Sequence, residues 1–322
     1  MANYKGVKGF KVQSRASDPT ADEGQIWYNT ASSALKYDAV AAGAWSAGGG
    51  LSGGYQEGGG LGTPTAAIVA GGSPAGTAAE TYNGTSWTSI TAMSDAKIYP
   101  GNIGTQTAAM LAGSTNPPFT ASTEVWNGAS WTELTAMTTA RGMLASSIAG
   151  SQTAAIVSGG ANPPGTALTN AEEFNGVGWT ALTAMPTATR GGSGAGTSTS
   201  YIAWGGYPDS FDSVTWNGSS WTEITAMTVN RRMFQESGTS DTSAMAAAGT
   251  YPPGVRLTIC EQWNGTSWTE VADTSATKEG GMGGGSTTSA WIAGGYGPGG
   301  AAGPAMEIWD GAPAVVKTVT VS

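Results

Sequence analysis

The sequence contains no histidine and only one cysteine. Without histidine it lacks the commonest general base and the preferred zinc and copper ligand, and no Ser-His or Cys-His nucleophile pair can form. Cys260 cannot form an internal disulfide, and its position in an apolar stretch predicts a buried thiol. These absences disfavour most hydrolases and metalloenzymes, so we expect neither a cofactor nor a metal site.

Positive charge is also scarce, because 13 Lys and Arg stand against 22 Asp and Glu. Phosphate binding needs clustered basic residues, so a nucleic-acid surface is not expected. The N-terminus lacks the apolar core of a signal peptide, and no stretch approaches the length that spans a membrane. We therefore expect synthesis in a cytoplasm and no insertion into a membrane.

The first basic residues all precede the first acid, Asp18, and they are Lys5, Lys8, Lys11 and Arg15. Such a segment is either a solvated terminus or a basic arm that docks on an acidic partner. The sequence leaves both interpretations open.

A repeated unit dominates the rest of the chain: an aromatic residue, Asn-Gly, two small residues, Trp-Thr and a closing Thr-Ala-Met. Regular copies begin at Tyr82, Trp126, Phe174, Trp216 and Trp263, and a degenerate sixth copy begins at Trp309. Successive copies lie 42 to 48 residues apart, which is the period of four-stranded propeller blades.

The residues within one period predict strands. An alternating small and apolar run ending in glycine precedes each aromatic, and Asn-Gly between the aromatic and the Trp is a strong hairpin signal. Trp126 and Trp131 should therefore face each other across a hairpin. The remaining glycine-rich strand is expected at the innermost position, where blades converge.

The repeat resembles the kelch family, whose unit joins a Gly-Gly after one strand to an aromatic followed by Asp or Asn, and then a Trp. The resemblance covers residues 51–322 and implies an all-β, six-bladed kelch-like β-propeller. Asn-Gly replaces the Asp of many relatives, and kelch-like propellers serve many tasks, so the likeness implies no single function. We expect the C-terminal run AVVKTVTVS to supply the outer strand of the last blade.

Residues 23–50 are expected to form a β-hairpin segment around a Thr-Ala-Ser-Ser turn, although Tyr37 and Trp45 also suit a remnant seventh blade hairpin. The segment resembles bacteriophage tail-fibre and other virion appendage proteins through Gly24, Ile26, Trp27, Tyr28, Asn29, Leu35, Lys36 and Tyr37. The resemblance implies a basic arm (1–22) and a hairpin segment (23–50) that attach to a particle, ahead of the propeller (51–322). The attachment residues would be Lys5, Lys8, Lys11, Arg15, Trp27 and Tyr28.

Two sets of residues are candidates for binding on one face of the propeller. Proline-rich loops carry the aromatics Phe119, Tyr207, Phe211, Tyr251 and Tyr296, which either contact a sugar or protein or fold back over the blade edge. A basic residue follows most repeats, at Lys97, Arg141, Arg190, Arg231 and Lys278, and forms either hydrogen bonds between blades or an anion-binding ring.

Carboxylates recur beside the repeat aromatics at Glu80, Glu124, Glu172 and Glu261, and two of them could form a glycosidase pair. Their repetition at one position favours hydrogen bonding between blades instead. The sequence as a whole favours a non-enzymatic bacteriophage structural protein, a tail fibre, spike or other external appendage. It would be a homo-oligomer in the virion, binding other virion proteins and a host-surface glycan or protein. A bacterial kelch-like adaptor and a carbohydrate-active enzyme are the alternatives.

Overall fold

The computed structural model describes residues 13–17, 26–40, 43–74, 76–208, 212–233, 235–251, 254–311 and 314–318. Strands dominate these residues, and the helical structure among them is one 3₁₀ turn at Pro298–Gly300. The chain divides into two compact units, residues 1–43 with 311–322, and residues 44–310.

The smaller unit contains a four-stranded sheet in the order Gln13–Arg15, Ile26–Asn29, Ala34–Val40 and Ala314–Thr318. Its central hairpin pairs Asn29 with Ala34 around the small-residue turn, as the sequence predicts. The Asn29 side chain closes this turn by accepting a hydrogen bond from the Ser32 amide at 2.9 Å. An Asx turn of this kind is a common way for Asn to fix a tight connection.

Residues 44–310 form a propeller-like series of four-stranded antiparallel sheets, which we number by the order of their first strands. Six are present among the described residues. Sheet 1 is Gly59–Thr63, Ala66–Ala70, Ala79–Tyr82 and Trp87–Ser89; sheet 2 is Gly101–Thr105, Ala108–Ser114, Thr120–Trp126 and Trp131–Leu134; sheet 3 is Ala145–Ser146, Ala155–Ser158, Ala171–Phe174 and Trp179–Ala181. Sheet 4 is Ser193–Thr197, Ser200–Trp204, Ser213–Trp216 and Trp221–Ile224; sheet 5 is Gln235–Ser240, Ser243–Ala247, Cys260–Trp263 and Trp268–Val271; sheet 6 is Met282–Gly285, Ser289–Ala293, Met306–Asp310 and Ala44–Gly48. Two small hairpins accompany them, Ala161–Asn162 with Thr166–Ala167, and Thr250–Tyr251 with Val255–Arg256.

The predicted Asn-Gly hairpins join the third and fourth strands of sheets 1 to 5. In sheet 2, Trp126 pairs with Trp131, and their ring centroids lie 5.4 Å apart. Gly128 has a φ of +93°, which explains the glycine, and the Asn127 side chain accepts hydrogen bonds from two turn amides. This part of the sequence prediction is confirmed.

Glycine-rich first strands lie at one edge of each sheet and contact the first strands of the neighbouring sheets. The series continues from sheet 1 to sheet 6, and the first strand of sheet 6 also contacts that of sheet 1. A Cβ added at Gly60 would lie 2.6 Å from the backbone nitrogen of Gly283, so only glycine allows this approach. The innermost position predicted for these strands agrees with their contacts.

The outer strand of sheet 6 differs from the expectation. Ala44–Gly48 pairs with Met306–Asp310, whereas the C-terminal run pairs with Ala34–Val40 in the smaller unit. Trp45 faces Trp309 at 5.5 Å and thus completes the aromatic pair that sheet 6 would otherwise lack. A Trp matches the repeat better than the Val-rich C-terminal run, which is the physical reason for the correction.

The repeat Trp side chains also join neighbouring sheets. Trp131 donates its indole N–H to the Thr91 carbonyl of the preceding repeat at 3.0 Å, and Trp45 donates in the same way to Ala272 at 3.0 Å. A buried indole needs such an acceptor, so each Trp both packs within its hairpin and fixes the neighbouring link. Trp45 therefore behaves as the Trp of sheet 6.

Candidate functional site

The four-stranded order places two kinds of connection at opposite ends of the sheets. One end, which we name the loop face, carries the connections between second and third strands and the links into each first strand. The other end, the Asn-Gly face, carries the repeat turns. The sequence-predicted aromatic and basic residues belong to the loop face.

A ring of backbone hydrogen bonds lies where the links enter the first strands. Each amide of the ring donates to the carbonyl of its equivalent in the preceding sheet at 2.6 to 2.9 Å, and Glu57 donates back to Gly280. All six residues have φ between +52° and +66°. The members are Glu57, Tyr99, Met143, Gly191, Met233 and Gly280. A positive φ is uncommon for Tyr, Met and Glu, so the ring holds them in a strained conformation.

The Tyr99 side chain reaches across this ring. Its hydroxyl lies 2.9 Å from a Glu57 carboxylate oxygen and 3.2 Å from the Met233 sulfur. Burial raises the pKa of Glu57, and the hydrogen bond from Tyr99 partly opposes that rise. Burial, together with the nearby Glu57 charge, also raises the pKa of Tyr99. Tyr99 thus keeps its hydroxyl proton and donates it in a hydrogen bond to the Glu57 carboxyl group at this end of the first strands.

A second carboxyl group, Glu236, lies deeper along the first strands. It accepts hydrogen bonds from Ser193 Oγ at 3.0 Å and Asn102 Nδ2 at 3.3 Å. Burial raises the pKa of Glu236 to about 7, and these hydrogen bonds oppose the shift. The side chain is therefore partly protonated near neutral pH.

Glu57, Tyr99, Asn102 and Glu236 line a cavity of about 50 Å³. A single water needs roughly 10 to 15 Å³ measured in this way, so the space accommodates a few waters but no sugar ring. The sequence analysis did not identify these residues. Their glycine-rich surroundings indicated an inner strand, but nothing in the repeat distinguishes Glu57 or Glu236 from ordinary surface acids.

Four of the predicted basic residues are buried in ion pairs with the repeat carboxylates. Arg141 contacts Glu172 at 3.0 Å and Arg231 contacts Glu261 at 2.9 Å, with the side chains at most 1% exposed. The two lysines make longer pairs, Lys97 with Glu124 at 4.0 Å and Lys278 with Glu307 at 3.9 Å. Burial lowers the pKa of Arg141, and Glu172 opposes that effect. These residues are structural and do not form an open anion-binding ring.

The repeat carboxylates also hold the link from the preceding sheet. Glu124 accepts from the Ser94 and Asp95 amides at 2.9 Å, Glu172 from the Thr138 amide at 2.7 Å, and Glu261 from the Thr228 amide at 2.8 Å. In sheet 1, Glu80 has no basic partner among the described residues and accepts instead from the Ser52 amide and hydroxyl. Each of these carboxylates is engaged by the backbone of a neighbouring link.

Arg190 does not belong to the buried set, contrary to its predicted grouping. In sheet 4 the equivalent link position is Thr189. Its carbonyl accepts from the Gly160 amide at 2.8 Å, just as the Arg231 carbonyl accepts from the Gly206 amide at 3.1 Å. The carboxylate position of sheet 4 holds Val214, beside a cavity of about 20 Å³. The buried basic residue lies four residues after the repeat Met in other copies, as in Met137 and Arg141. The same spacing after Met185 leads to Thr189 and not to Arg190.

Arg190 lies instead beside two loop-face residues. Its guanidinium carbon is 4.7 Å from the Tyr207 ring centroid, and that of Arg232 is 5.2 Å from the same centroid. Tyr207 itself is 37% exposed. The structure therefore brings together one predicted aromatic, one predicted basic residue and Arg232, which sequence reasoning missed.

The other predicted aromatics have separate environments. Tyr251 is 45% exposed and follows Thr250, the backbone partner of Arg232. Tyr296 is half-buried, accepts from Gln56 Nε2 at 2.8 Å and lies 5.6 Å from the Arg256 guanidinium. Phe119 is half-buried, and Phe211 lies outside the described residues.

The predicted attachment residues of the N-terminal segment also differ from one another in exposure. Trp27 is 2% exposed and is a packing residue of the smaller unit, whereas Tyr28 is 38% exposed. The Arg15 carbonyl accepts from the Thr30 amide at 2.7 Å. Lys5, Lys8 and Lys11 lie outside the described residues.

Two further features are absent from the described residues. No cluster of three or more metal-ligating Cys, Asp or Glu side chains occurs among them. None of their helical segments has the length and apolarity to span a membrane.

Comparisons with known proteins support the fold alone. No protein-family model and no curated protein sequence matches the chain. Its structure is similar to that of YjhT, with a TM-score of 0.66 and 14% identity over 84% of this chain and 99% of YjhT. YjhT is one of 237 solved chains that match. A fold shared so widely does not specify a function, and what the chain has in common with YjhT is an all-β, propeller-like architecture.

Proposed function

We propose that residues 44–310 form a closed six-bladed kelch-like β-propeller. The ring of backbone hydrogen bonds supports closure, since it returns from Gly280 to Glu57. The pairing of Trp45 with Trp309 supports the same reading, because the N-terminal strand then completes the last blade. Joining the two ends of the ring in one sheet removes the free edges that an open series would leave.

The propeller is a non-enzymatic recognition module that binds through its loop face. The observation that carries this proposal is the cluster of exposed Tyr207 with half-buried Arg190 and Arg232, with exposed Tyr251 beside it. Tyr and Arg are the residue types that dominate binding surfaces. The Asn-Gly face, by contrast, repeats one turn five times and offers Val177 as its exposed large apolar residue among those described.

The chain is an external component of a bacteriophage particle, a tail fibre, spike or related appendage. The N-terminal resemblance motivates this role, and the hairpin expected from it is present at Ile26–Asn29 and Ala34–Val40. Exposed Ile26 and Tyr28 give this hairpin a surface that another virion protein can cover. The partner of the loop face is then a host-surface molecule.

The test uses phage particles that carry variant chains. Tyr251→Ala should reduce adsorption to the host while leaving the amount of chain per particle unchanged. Val177→Ser, on the Asn-Gly face, is the matched control and should change neither quantity. Normal adsorption of the Tyr251→Ala particles would refute recognition through the loop face. Normal incorporation of a chain lacking residues 1–22 would refute attachment through the N-terminal arm.

A further inference from the structure

Two loop-face arginines differ from all other basic side chains of residues 44–310. Lys97, Arg141, Arg231 and Lys278 have the buried glutamate partners described above, and Arg256 contacts Glu279 at 2.9 Å. Within the described residues, neither Arg190 nor Arg232 has a carboxylate within 4.0 Å. Among the described residues, positive charge without a carboxylate partner is therefore concentrated at one place of residues 44–310, on a chain whose net charge is −9.

The backbone fixes these two side chains in equivalent positions of sheets 4 and 5. Arg190 exchanges two backbone hydrogen bonds with Tyr207 at 3.0 and 2.9 Å, and Arg232 does the same with Thr250 at 3.0 and 2.9 Å. Both guanidinium groups then lie against the Tyr207 ring. Because paired backbone and an aromatic ring already hold these side chains, the arginines lose less conformational entropy on binding a ligand.

Hydrogen-bonding capacity also remains open at this site. Arg190 donates to the Gly165 carbonyl through one nitrogen, and Arg232 Nε is buried without an acceptor in the structure. Each guanidinium carries five donors, and carboxylate and phosphate groups match that fork with two parallel hydrogen bonds. The terminal nitrogens of both guanidinium groups therefore have donors left for an oxyanion.

We propose that Arg190 and Arg232 bind a carboxylate or phosphate group of an acidic saccharide, with Tyr207 as the residue that positions both arginines. The proposal rests on the recognition role of the loop face and names the chemistry of its ligand. The ligand is assigned as a saccharide because exposed Tyr251 follows Thr250, the backbone partner of Arg232, and its ring offers a flat apolar face for a sugar beside the charged group. The exposed large hydrophobics described on this face are Tyr207, Tyr251 and Val255.

Calorimetric titration of the full chain tests the proposal with defined probes. Tetragalacturonate supplies carboxylates, its methyl ester is the neutral match, and glucose 1-phosphate supplies a phosphate. We expect at least one acidic probe to bind, the methyl ester to bind at least tenfold more weakly than the free acid, and affinity to fall as salt is raised from 50 to about 300 mM. The Arg190→Gln, Arg232→Gln double variant should lose at least tenfold in affinity.

Arg256→Gln is the control, because it removes a loop-face arginine that already has a carboxylate partner. It should change affinity less than twofold. Near-UV circular dichroism checks that the variants fold. Should the double variant not fold, Arg190→Lys in the full chain keeps the charge but removes the paired hydrogen bonds, and a loss of binding is again expected.

Binding of neither acidic probe, equal binding of tetragalacturonate and its ester, or unchanged binding by the arginine variants would overturn the proposal. Binding of pentaglutamate with no binding of either saccharide would also overturn it and indicate an acidic peptide. These failures are separable from failure of the recognition role. If particles with both arginines replaced adsorb normally while Tyr251→Ala particles do not, recognition stands and the anion site is refuted.

Discussion

Removing one partner of the buried Arg141–Glu172 pair should cost more stability than removing both. The two side chains are 0% and 1% exposed and 3.0 Å apart, so either single substitution leaves an uncompensated charge in the interior. Loss of one partner of a buried pair costs about 3 to 5 kcal/mol. We therefore expect Arg141→Thr and Glu172→Val each to lower the free energy of unfolding by that amount.

The chain itself contains the combination that the double variant would create. Sheet 4 has Thr189 and Val214 at the positions of Arg141 and Glu172, and it forms the same four strands without an ion pair. The double variant removes both charges and the bonds from Arg141 to the Gly159 and Asn170 carbonyls, the first of which a Thr hydroxyl replaces in sheet 4, where Thr189 Oγ1 donates to Gly205 at 2.9 Å. It also forgoes the hydrogen bond from the Thr138 amide to Glu172, 2.7 Å long. An unmade bond of this kind costs about 1 to 3 kcal/mol, which we take as the total loss expected for the double variant.

Urea denaturation at 25 °C, followed by Trp fluorescence, measures the three variants against the unmodified chain. Additive single costs would amount to roughly 6 to 10 kcal/mol, so the predicted coupling energy exceeds about 3 kcal/mol. Arg190→Gln is the control, because this arginine lacks a described carboxylate partner, and its midpoint should shift little. A double variant as unstable as the sum of the single variants would refute the reasoning.

Three further predictions concern other parts of the structure. Trp45→Ala and Trp131→Ala should each lower the free energy of unfolding by about 2 to 4 kcal/mol, and a loss below about 1 kcal/mol for Trp45→Ala in urea denaturation would show that Trp45 does not complete sheet 6. Burial raises the pKa of Glu236 from 4.5 to about 7, so between pH 4.5 and 7 the folded chain holds a proton that the unfolded chain releases. The stability that this proton contributes is fully present below pH 4.5 and is lost as the pH rises through 7. Glu236→Gln should therefore increase the free energy of unfolding at pH 8 by up to about 3 kcal/mol more than at pH 5, seen as a larger rise in melting temperature at pH 8. An equal rise at both pH values would contradict the assignment. Burial raises the pKa of Cys260 to about 11, so a thiol reagent at pH 8 should label the native chain at least 100-fold more slowly than the urea-unfolded chain, and comparable rates would show that the thiol is accessible.

The sequence by itself determined the repeating unit and its hairpins. Each unit repeats an aromatic, Asn-Gly and Trp at fixed spacing, and these are local signals that specify a tight turn and a cross-strand pair, as in Trp126 and Trp131. Glycine-rich segments indicated the inner strand because side chains are excluded where backbones approach. The buried role of the repeated glutamates was also readable, since one residue type at one position of every blade suggests a contact between blades.

The closing strand was decided by tertiary structure, although the sequence carried a signal for it. Trp45 lies six residues before Leu51, the same spacing as Trp87 and Met93, but Trp309 is distant in sequence. Trp45 pairs with Trp309 because the whole series of sheets brings the two strands together. A local sequence pattern carries no information about a contact between residues so far apart in the chain. The local pattern therefore favours the C-terminal run AVVKTVTVS as the outer strand, and that prediction is wrong.

The loop-face site likewise depended on a three-dimensional neighbourhood. Arg190 and Arg232 occupy equivalent positions of sheets 4 and 5. Each follows the link position that holds Thr189 in sheet 4 and the ion-paired Arg231 in sheet 5. Alternation along an extended backbone sends adjacent side chains to opposite sides, so Arg231 is buried while Arg232 reaches Tyr207. The sequence supplied the charges and the aromatic ring, and the packing of one sheet against the next decided which charges are paired inside and which remain to meet a partner.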